Sequence, residues 1–291
     1  MHLLPNFLLD AVMLGSLYCL LAIGLALAFG VTRIINFAHG EFVMLGAYAA
    51  VMLSRSFGLD PLLSMPIAAA AAAVLGWALF ELCLKRVLRA PPINQILLLF
   101  GIGLVLQNVA LMLFTADERS VTTPYSLAAG QILGINISYG KAIGLAVSMV
   151  FTFALLTWLR ISETGRAMRA VAQQRDAARL MGIDVDRMYR LSFMINAALG
   201  AATGCVVSFL LTVSPFMGFA LLVKSFAIVV LGGLGSITGT LIAAFLLALA
   251  ETGVAYYVPD GGGWADGVAL AVLLLVLILR PRGIRGGAID A

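Results

Sequence analysis

The residues with chemistry to offer are few and are set into apolar sequence. Asn36, His39, Gly40 and Glu41 fall together in the run NFAHGE. Asn36 and His39, three positions apart, share a face wherever the run is helical. At an interrupted apolar segment such a cluster can hold a zwitterion. Exposed helix-end amides take its carboxylate, and a side-chain carboxylate or a carbonyl takes its ammonium. The alternative is that these side chains tie the interruption together by hydrogen bonds, and for His39 this is the preferred reading. One imidazole without neighbouring ligands makes neither a metal site nor a proton relay. Glu251 and Lys224 lie inside apolar stretches, and Glu81 and Asp10 lie nearer the ends of theirs. An unpaired charge in hydrocarbon is costly, so each of these either pairs across a bundle or serves a transport path. The glycine-rich run Gly232, Gly233, Leu234, Gly235, Ser236 lacks the Lys-Ser/Thr that reaches phosphate and magnesium in a phosphate loop, so it reads as close helix packing or a broken helix. The candidate substrate path is therefore Asn36, His39, Gly40, Glu41, Gly232, Gly233, Gly235 and Glu251.

Bond-breaking chemistry has little support. No G-x-x-x-x-G-K-S/T string occurs, so the chain by itself does not hydrolyse ATP by the P-loop route. Strings of the G-x-S-x-G and H-E-x-x-H types are missing too. A membrane enzyme built on His39 and Glu41 would want a second histidine or a nucleophile beside them, and none accompanies them. Cys19, Cys83 and Cys205 lie singly in apolar runs without C-x-x-C spacing and read as small packing residues.

The elements that must position these residues are membrane helices. The 291 residues are 62% hydrophobic and 11% charged, with a mean hydropathy of +1.07. Repeated apolar runs match a hydrocarbon core of ~30 Å and exclude a soluble globular domain. Lipid leaves unpaired backbone amides without partners, and continuous apolar runs without alternation select helices over a barrel. The expected fold is all-α: one transmembrane domain over residues 1–291, with about eight to nine spans, some broken or re-entrant. Candidate spans are 7–29, 41–53, 62–84, 93–114, 142–159, 191–213, 216–231, 238–258 and 265–279. The second and seventh are short, as broken helices lining a cavity often are. The first run, despite Ala26 and Ala28 mimicking a cleavage site, is long for a signal peptide and reads as a retained span. Residues 29–48 and 231–251 both place glycine-rich kinks before a small-residue helix, which would fit an internal duplication.

Charge orients the bundle. Seven arginines, Arg160, Arg166, Arg169, Arg175, Arg179, Arg187 and Arg190, crowd the segment 160–190. Lys/Arg-rich loops beside spans stay on the cytoplasmic side, so this segment, the loop with Lys85, Arg86 and Arg89, and the tail with Arg280, Arg282 and Arg285 all read as cytoplasmic. The net charge of +4 is thereby explained by orientation rather than by nucleic acid. Three crossings before Lys85 put the N-terminus outside, whereas a re-entrant 41–53 puts it inside. The polar connector 115–141 falls outside. Within the arginine segment Thr164 can cap a helix that ends near Gly182, with Ala, Val, Leu and Met on one side and arginines on the other. Asp184 can cap the helix that follows. Such a surface helix suits anionic lipid or a groove on a cytoplasmic partner.

Asp176, Ala177, Ala178 and Gly182 reproduce, with Asp for Glu, the E-A-A-x-x-x-G core of the loop by which ABC-importer permeases engage their ATPases. The Ile-x-Leu-Pro that follows it in the broader pattern is missing. The wider string GRAMRAVAQQRDAARLMGIDVDRM, with residues 15–48 and 229–251, resembles permeases of the high-affinity branched-chain amino-acid importer, the LivH-type family. The resemblance covers about a third of the chain. It implies a subunit of the bacterial inner membrane that imports leucine, isoleucine and valine, binds no cofactor itself, and draws on ATP and Mg2+ held by two ATPase subunits. It further implies a second permease, forming a heterodimer, and a periplasmic amino-acid-binding protein. Gly165, Arg166, Arg169, Arg175, Asp176, Ala177, Ala178 and Gly182 would carry the ATPase coupling. Urea or a short amide is the rival substrate within the family. From another class, an ion-coupled secondary transporter would use Glu251, Glu81 or Asp10.

Overall fold

In the computed structural model, which describes residues 3–132, 135–279 and 283–284, the chain is a polytopic helical membrane protein. Its helices are α1 (Leu3–Thr32), α2 (His39–Phe57), α3 (Pro61–Leu79), α4 (Lys85–Val87), α5 (Pro92–Phe114), α6 (Pro124–Leu127), α7 (Tyr139–Ile161), α8 (Glu163–Gln173), α9 (Arg175–Leu180), α10 (Val185–Leu210), α11 (Met217–Gly232), α12 (Ile237–Tyr257) and α13 (Ala265–Leu279). A π-helical turn, Phe80–Leu84, joins α3 to α4. Among the described residues six helices, including α1, α10 and α12, are long and apolar enough to cross a bilayer. Each of the nine expected segments corresponds to one helix, and the segment expected at 41–53 is longer at both ends.

Side-chain contacts define two ends of the bundle. At one, the Asn136 amide donates to Asn6 (3.0 Å), Lys141 pairs with Asp10 (2.7 Å), and the Tyr125 hydroxyl donates to Asp60 (2.9 Å). Burial holds the Tyr125 phenol above its usual range, with the Asp60 hydrogen bond adding to the effect, so it stays the donor. Here the polar connector 115–141 carries a hairpin, β1 (Ala129–Ile132) antiparallel to β2 (Ile135–Ser138). This small exception to an all-helical chain pairs backbone groups that no helix satisfies. At the opposite end Arg190 and Lys85 both reach Glu81 (2.6 and 2.7 Å), and Arg33 donates to the Ala172 carbonyl (3.2 Å). The three tail arginines Arg280, Arg282 and Arg285 lie outside the described residues.

Local sequence explains several helix ends. Gly58, left-handed at φ 64°, ends α2, and Asp60 caps α3 by accepting from the Leu62 amide (2.8 Å) with Pro61 at the first helical position. Asp184 caps α10 as expected, accepting from the Arg187 amide (3.0 Å), and Gly182 is left-handed at φ 81°. The arginine segment departs from the single helix expected. Ser162, not Thr164, is the cap, accepting from the Gly165 amide (2.9 Å). At Gln174 (φ −150°, ψ 101°) the chain is extended and breaks the segment into α8 and α9.

Burial places α1 and α10 at the centre: 83% and 78% of their most apolar windows are covered, against 17% for α5 and 28% for α3 and α7. The packing is two-fold in pattern. α10 lies mainly on α3 and α2, and α1 lies mainly on α12, with α10, α7 and α11 beside it. Each central helix thus packs on the third helix of the other four-helix unit, α1–α2–α3–α5 or α10–α11–α12–α13. The two units run in opposite directions. In each, the central helix ends in a non-helical break, 33–38 or 211–216, before a helix that starts inside the bundle. The duplication expected between 29–48 and 231–251 is thus corrected. The glycines at 232–235 make the turn between α11 and α12, whereas the second break lies upstream at 211–216.

Candidate functional site

The first break is a buried strap. Arg33, in the left-handed region at φ 60°, ends α1 while its amide still bonds the Phe29 carbonyl (2.8 Å), and Thr32 Oγ1 accepts from the Ile34 amide (3.1 Å). Ile34, Asn36 and Ala38 are buried, so protein rather than lipid surrounds this non-helical backbone, the condition under which it survives at membrane depth. The Asn36 side chain accepts from the Ala38 amide (3.1 Å), turning the chain into α2.

His39 then points into the centre. Its Nε2 lies 2.8 Å from the Leu21 carbonyl, halfway along α1, and its Nδ1 lies 2.5 Å from the Asn196 carboxamide of α10. Leu21 stands eleven residues before the end of α1, roughly 16 Å along the helix, so α2 starts near the middle of the bundle. Both ring nitrogens are engaged, and His39 is fully buried. It therefore fastens three helices and has no nitrogen left for a ligand. The hydrogen-bonding alternative read from sequence is the one the geometry displays.

Close approach depends on glycine. A methyl at Gly46 of α2 would run into the Ala201 carbonyl of α10, and one at Gly204 into the Val43 carbonyl. At the start of α2 a methyl at Gly40 would strike the carbonyl of Gly218, in the first turn of α11. Thus the two helices that begin inside the bundle meet at their N-terminal ends. Glu41 lies in this junction. It is 6% exposed, and its Oε2 has no hydrogen-bond partner among the described residues. A methyl at Gly218 would lie 2.5 Å from that oxygen, and one at Gly103 of α5 would lie 3.6 Å from the Glu41 Cγ.

The other intramembrane charges are accounted for. Lys224 Nζ is 3.5 Å from Glu251 Oε2 and donates to the Tyr18 hydroxyl (3.1 Å), which itself donates to Glu251 Oε2 (2.5 Å). Charge and hydrogen bonding so tie α11 to α12 and α1. Glu81 and Asp10 hold the cations named above. Gly232, Gly233 and Gly235 belong to the turn between α11 and α12, whose Leu234 lines a small space with Ile35 of the strap. Gly233 and Gly235 have φ of 101° and 87°, and the turn packs against Gly30 at the end of α1 carrying Arg33. Nothing in the sequence flagged Asn196, Tyr18 or Gly218, whose roles depend on helices far apart along the chain.

On the arginine segment the faces are sorted differently from the expectation. Gly165, Met168, Val171 and Ala178 face inward, while Leu180 and Met181 are 89% and 82% exposed among the arginines. The kink at Gln174 turns the last residues of α9 away from the bundle. Arg166 donates to the Ile161 carbonyl (2.8 Å), Arg175 hydrogen-bonds the Tyr189 side chain, which keeps its guanidinium above its ordinary range, and Arg179 lies 3.7 Å from Asp186. Arg169, Asp176 and Gly182 are exposed, and Ala177 is half-buried. The result is an elbow with apolar tips and a cationic rim.

The family profile described as "Branched-chain amino acid transport system / permease component" matches residues 7–277. The chain is 34% identical to the high-affinity branched-chain amino acid transport system permease protein LivH of Salmonella typhimurium, covering 95% of this chain and 94% of that one. It is 33% identical to the corresponding protein BraD of Pseudomonas aeruginosa (96% and 94%), and 25% identical to LivM of Escherichia coli (94% and 69%). Among solved structures it is similar to PsaBC from Streptococcus pneumoniae in complex with Fab, with a TM-score of 0.50, 16% identity, and coverage of 97% and 93%. This last likeness concerns the fold.

Proposed function

Because the chain belongs to the family of branched-chain amino acid transport permeases, we propose that it is the membrane-spanning subunit of an ABC importer for leucine, isoleucine and valine. The match to such permeases along nearly the whole chain carries this reading. The elbow of α8 and α9 is where one of the importer's two ATPase subunits docks. Gly165 seats α8 on Leu159 and Ala178 seats α9, while Arg166, Arg169, Arg175, Asp176, Ala177 and Gly182 shape the presented surface. That end is cytoplasmic, by its arginines. The hairpin end then faces the periplasm and a binding protein, with both the N-terminal end of α1 and the connector 115–141 outside. A second, related permease completes the membrane part, consistent with the weaker likeness to LivM.

Transport follows as alternating access. ATP-driven movement of the elbow reaches the strap through the Arg33–Ala172 bond, and the strap leads to Asn36, His39, Gly40 and Glu41. His39 anchors α2, so the path proper runs by Glu41 and the junction with α11. Gly232, Gly233 and Gly235 serve as the pivot between α11 and α12, and Glu251 with Lys224 keeps those helices moving together. Apolar walls separate side chains by only ~1–3 kcal/mol per methylene, so the three aliphatic substrates share one path.

Reconstitution of the assembled importer in liposomes tests this. Leucine-loaded binding protein is expected to stimulate ATP hydrolysis and leucine uptake together. Stimulation by urea instead would transfer the function to amide import, and uptake persisting without the ATPases would make the chain a secondary transporter.

A further inference from the structure

The meeting of α2 and α11 has the features of a ligand site held shut. Both helices start inside the bundle, and neither is capped by a side chain at its N-terminus. Two N-terminal ends therefore direct partial positive charge into one junction, which suits an anionic group. Glu41 is an independent sign. A carboxylate 6% exposed, with an oxygen lacking a hydrogen-bond partner among the described residues, is aimed into the same junction over Gly218. Leaving such an oxygen unsatisfied is costly. A cation arriving there would remove that cost. One group that wants an anion and another that wants a cation, side by side at membrane depth, describe the two ends of a zwitterion.

The geometry points to a zwitterion site within this single subunit, where Glu41 receives the ammonium of a free α-amino acid and the N-terminal turn of α11 at Gly218 receives its carboxylate. The site rests on the amino-acid importer reading and refines it. It is closed in this conformation, since Gly40 and the Gly218 carbonyl are in backbone contact. Parting of α2 from α11 opens it, and Gly103 of α5, which backs Glu41 and the strap at Phe37 and Ala38, forms its outer wall. The glycines at 40 and 218 are what allow the two ends to close.

Charge and volume make opposite demands on position 41, and that separates binding from packing. Glu41→Gln keeps the volume and loses the charge, whereas Glu41→Asp keeps the charge and shortens the arm. Both variants are to be assembled into the complete importer, checked for normal complex yield and melting, and assayed for ATP-driven leucine uptake in liposomes. Glu41→Gln is expected to lower uptake at least about tenfold, with Glu41→Asp retaining more than Gln. Uptake by Glu41→Gln equal to wild type, or greater than that of Glu41→Asp, would overturn the site while leaving the importer reading intact. Failure of the wild-type importer to move leucine at all would overturn both. If both variants fail to assemble, Gly103→Ala decides. Its methyl meets the Glu41 Cγ at 3.6 Å, an ordinary contact that leaves the packing intact while narrowing the outer wall, so it should lower leucine uptake with the complex still formed, and unimpaired uptake overturns the proposal.

Discussion

His39, for which the sequence already favoured a structural reading, spends both ring nitrogens on Asn196 and Leu21. Removing it takes from the buried Asn196 carboxamide its bond to Nδ1 and from the Leu21 carbonyl the bond it accepts beyond its own helix. His39→Ala is therefore expected to cost about 1–3 kcal/mol, visible as a lowered melting temperature of the detergent-purified protein. Asn196→Ala should lower it comparably, and the double variant should cost less than the sum. Gly46→Ala is harsher, because its methyl meets helix backbone rather than a movable side chain. The expected result is loss of the monodisperse protein peak on size exclusion. The polar cluster at 36–41 was legible because such residues are expensive in an apolar chain. Its partners were not, since Asn196 and Gly218 are unremarkable until folding sets them against residues about 160–180 positions away.

Helix ends were the most readable elements, because caps and left-handed glycines act locally. Gly182 and Asp184 behave as their types predict. The break at Gln174 was not readable. No proline or glycine marks it, and it follows from seating Met168 and Val171 on one surface and Ala178 on another. The strap was signalled by the polar run after Thr32, although its left-handed Arg33 was not. For the elbow, replacing Arg169 and Arg175 by Glu should release the ATPases while the protein stays in the membrane, read by co-purification. Normal recovery of ATPases and normal transport would count against docking there. Arg33→Ala tests transmission instead. ATPase binding and basal hydrolysis should persist, while substrate uptake per ATP falls, as measured in liposomes.

Taken whole, the molecule has sidedness that thiol labelling can read. In a Cys83→Ser background, Leu127→Cys near the hairpin should react with an impermeant maleimide in intact cells, and Leu180→Cys on the elbow should react only after the membrane is opened. The reverse pattern would invert the orientation. Class and approximate helix number were legible because lipid imposes length and hydropathy rules on each segment separately. The opposed halves were not, because α1 finds α12 and α10 finds α3 across most of the chain. One consequence concerns the order of synthesis. α2 is not among the six helices apolar and long enough to cross a bilayer, and the surface that shelters it belongs largely to α10. When α2 leaves the ribosome, its host has not been translated, so it must wait near the translocon for more than a hundred residues. A nascent chain stopped before α10 should therefore be recognised and destroyed by membrane quality control, whereas one stopped after α11 should persist.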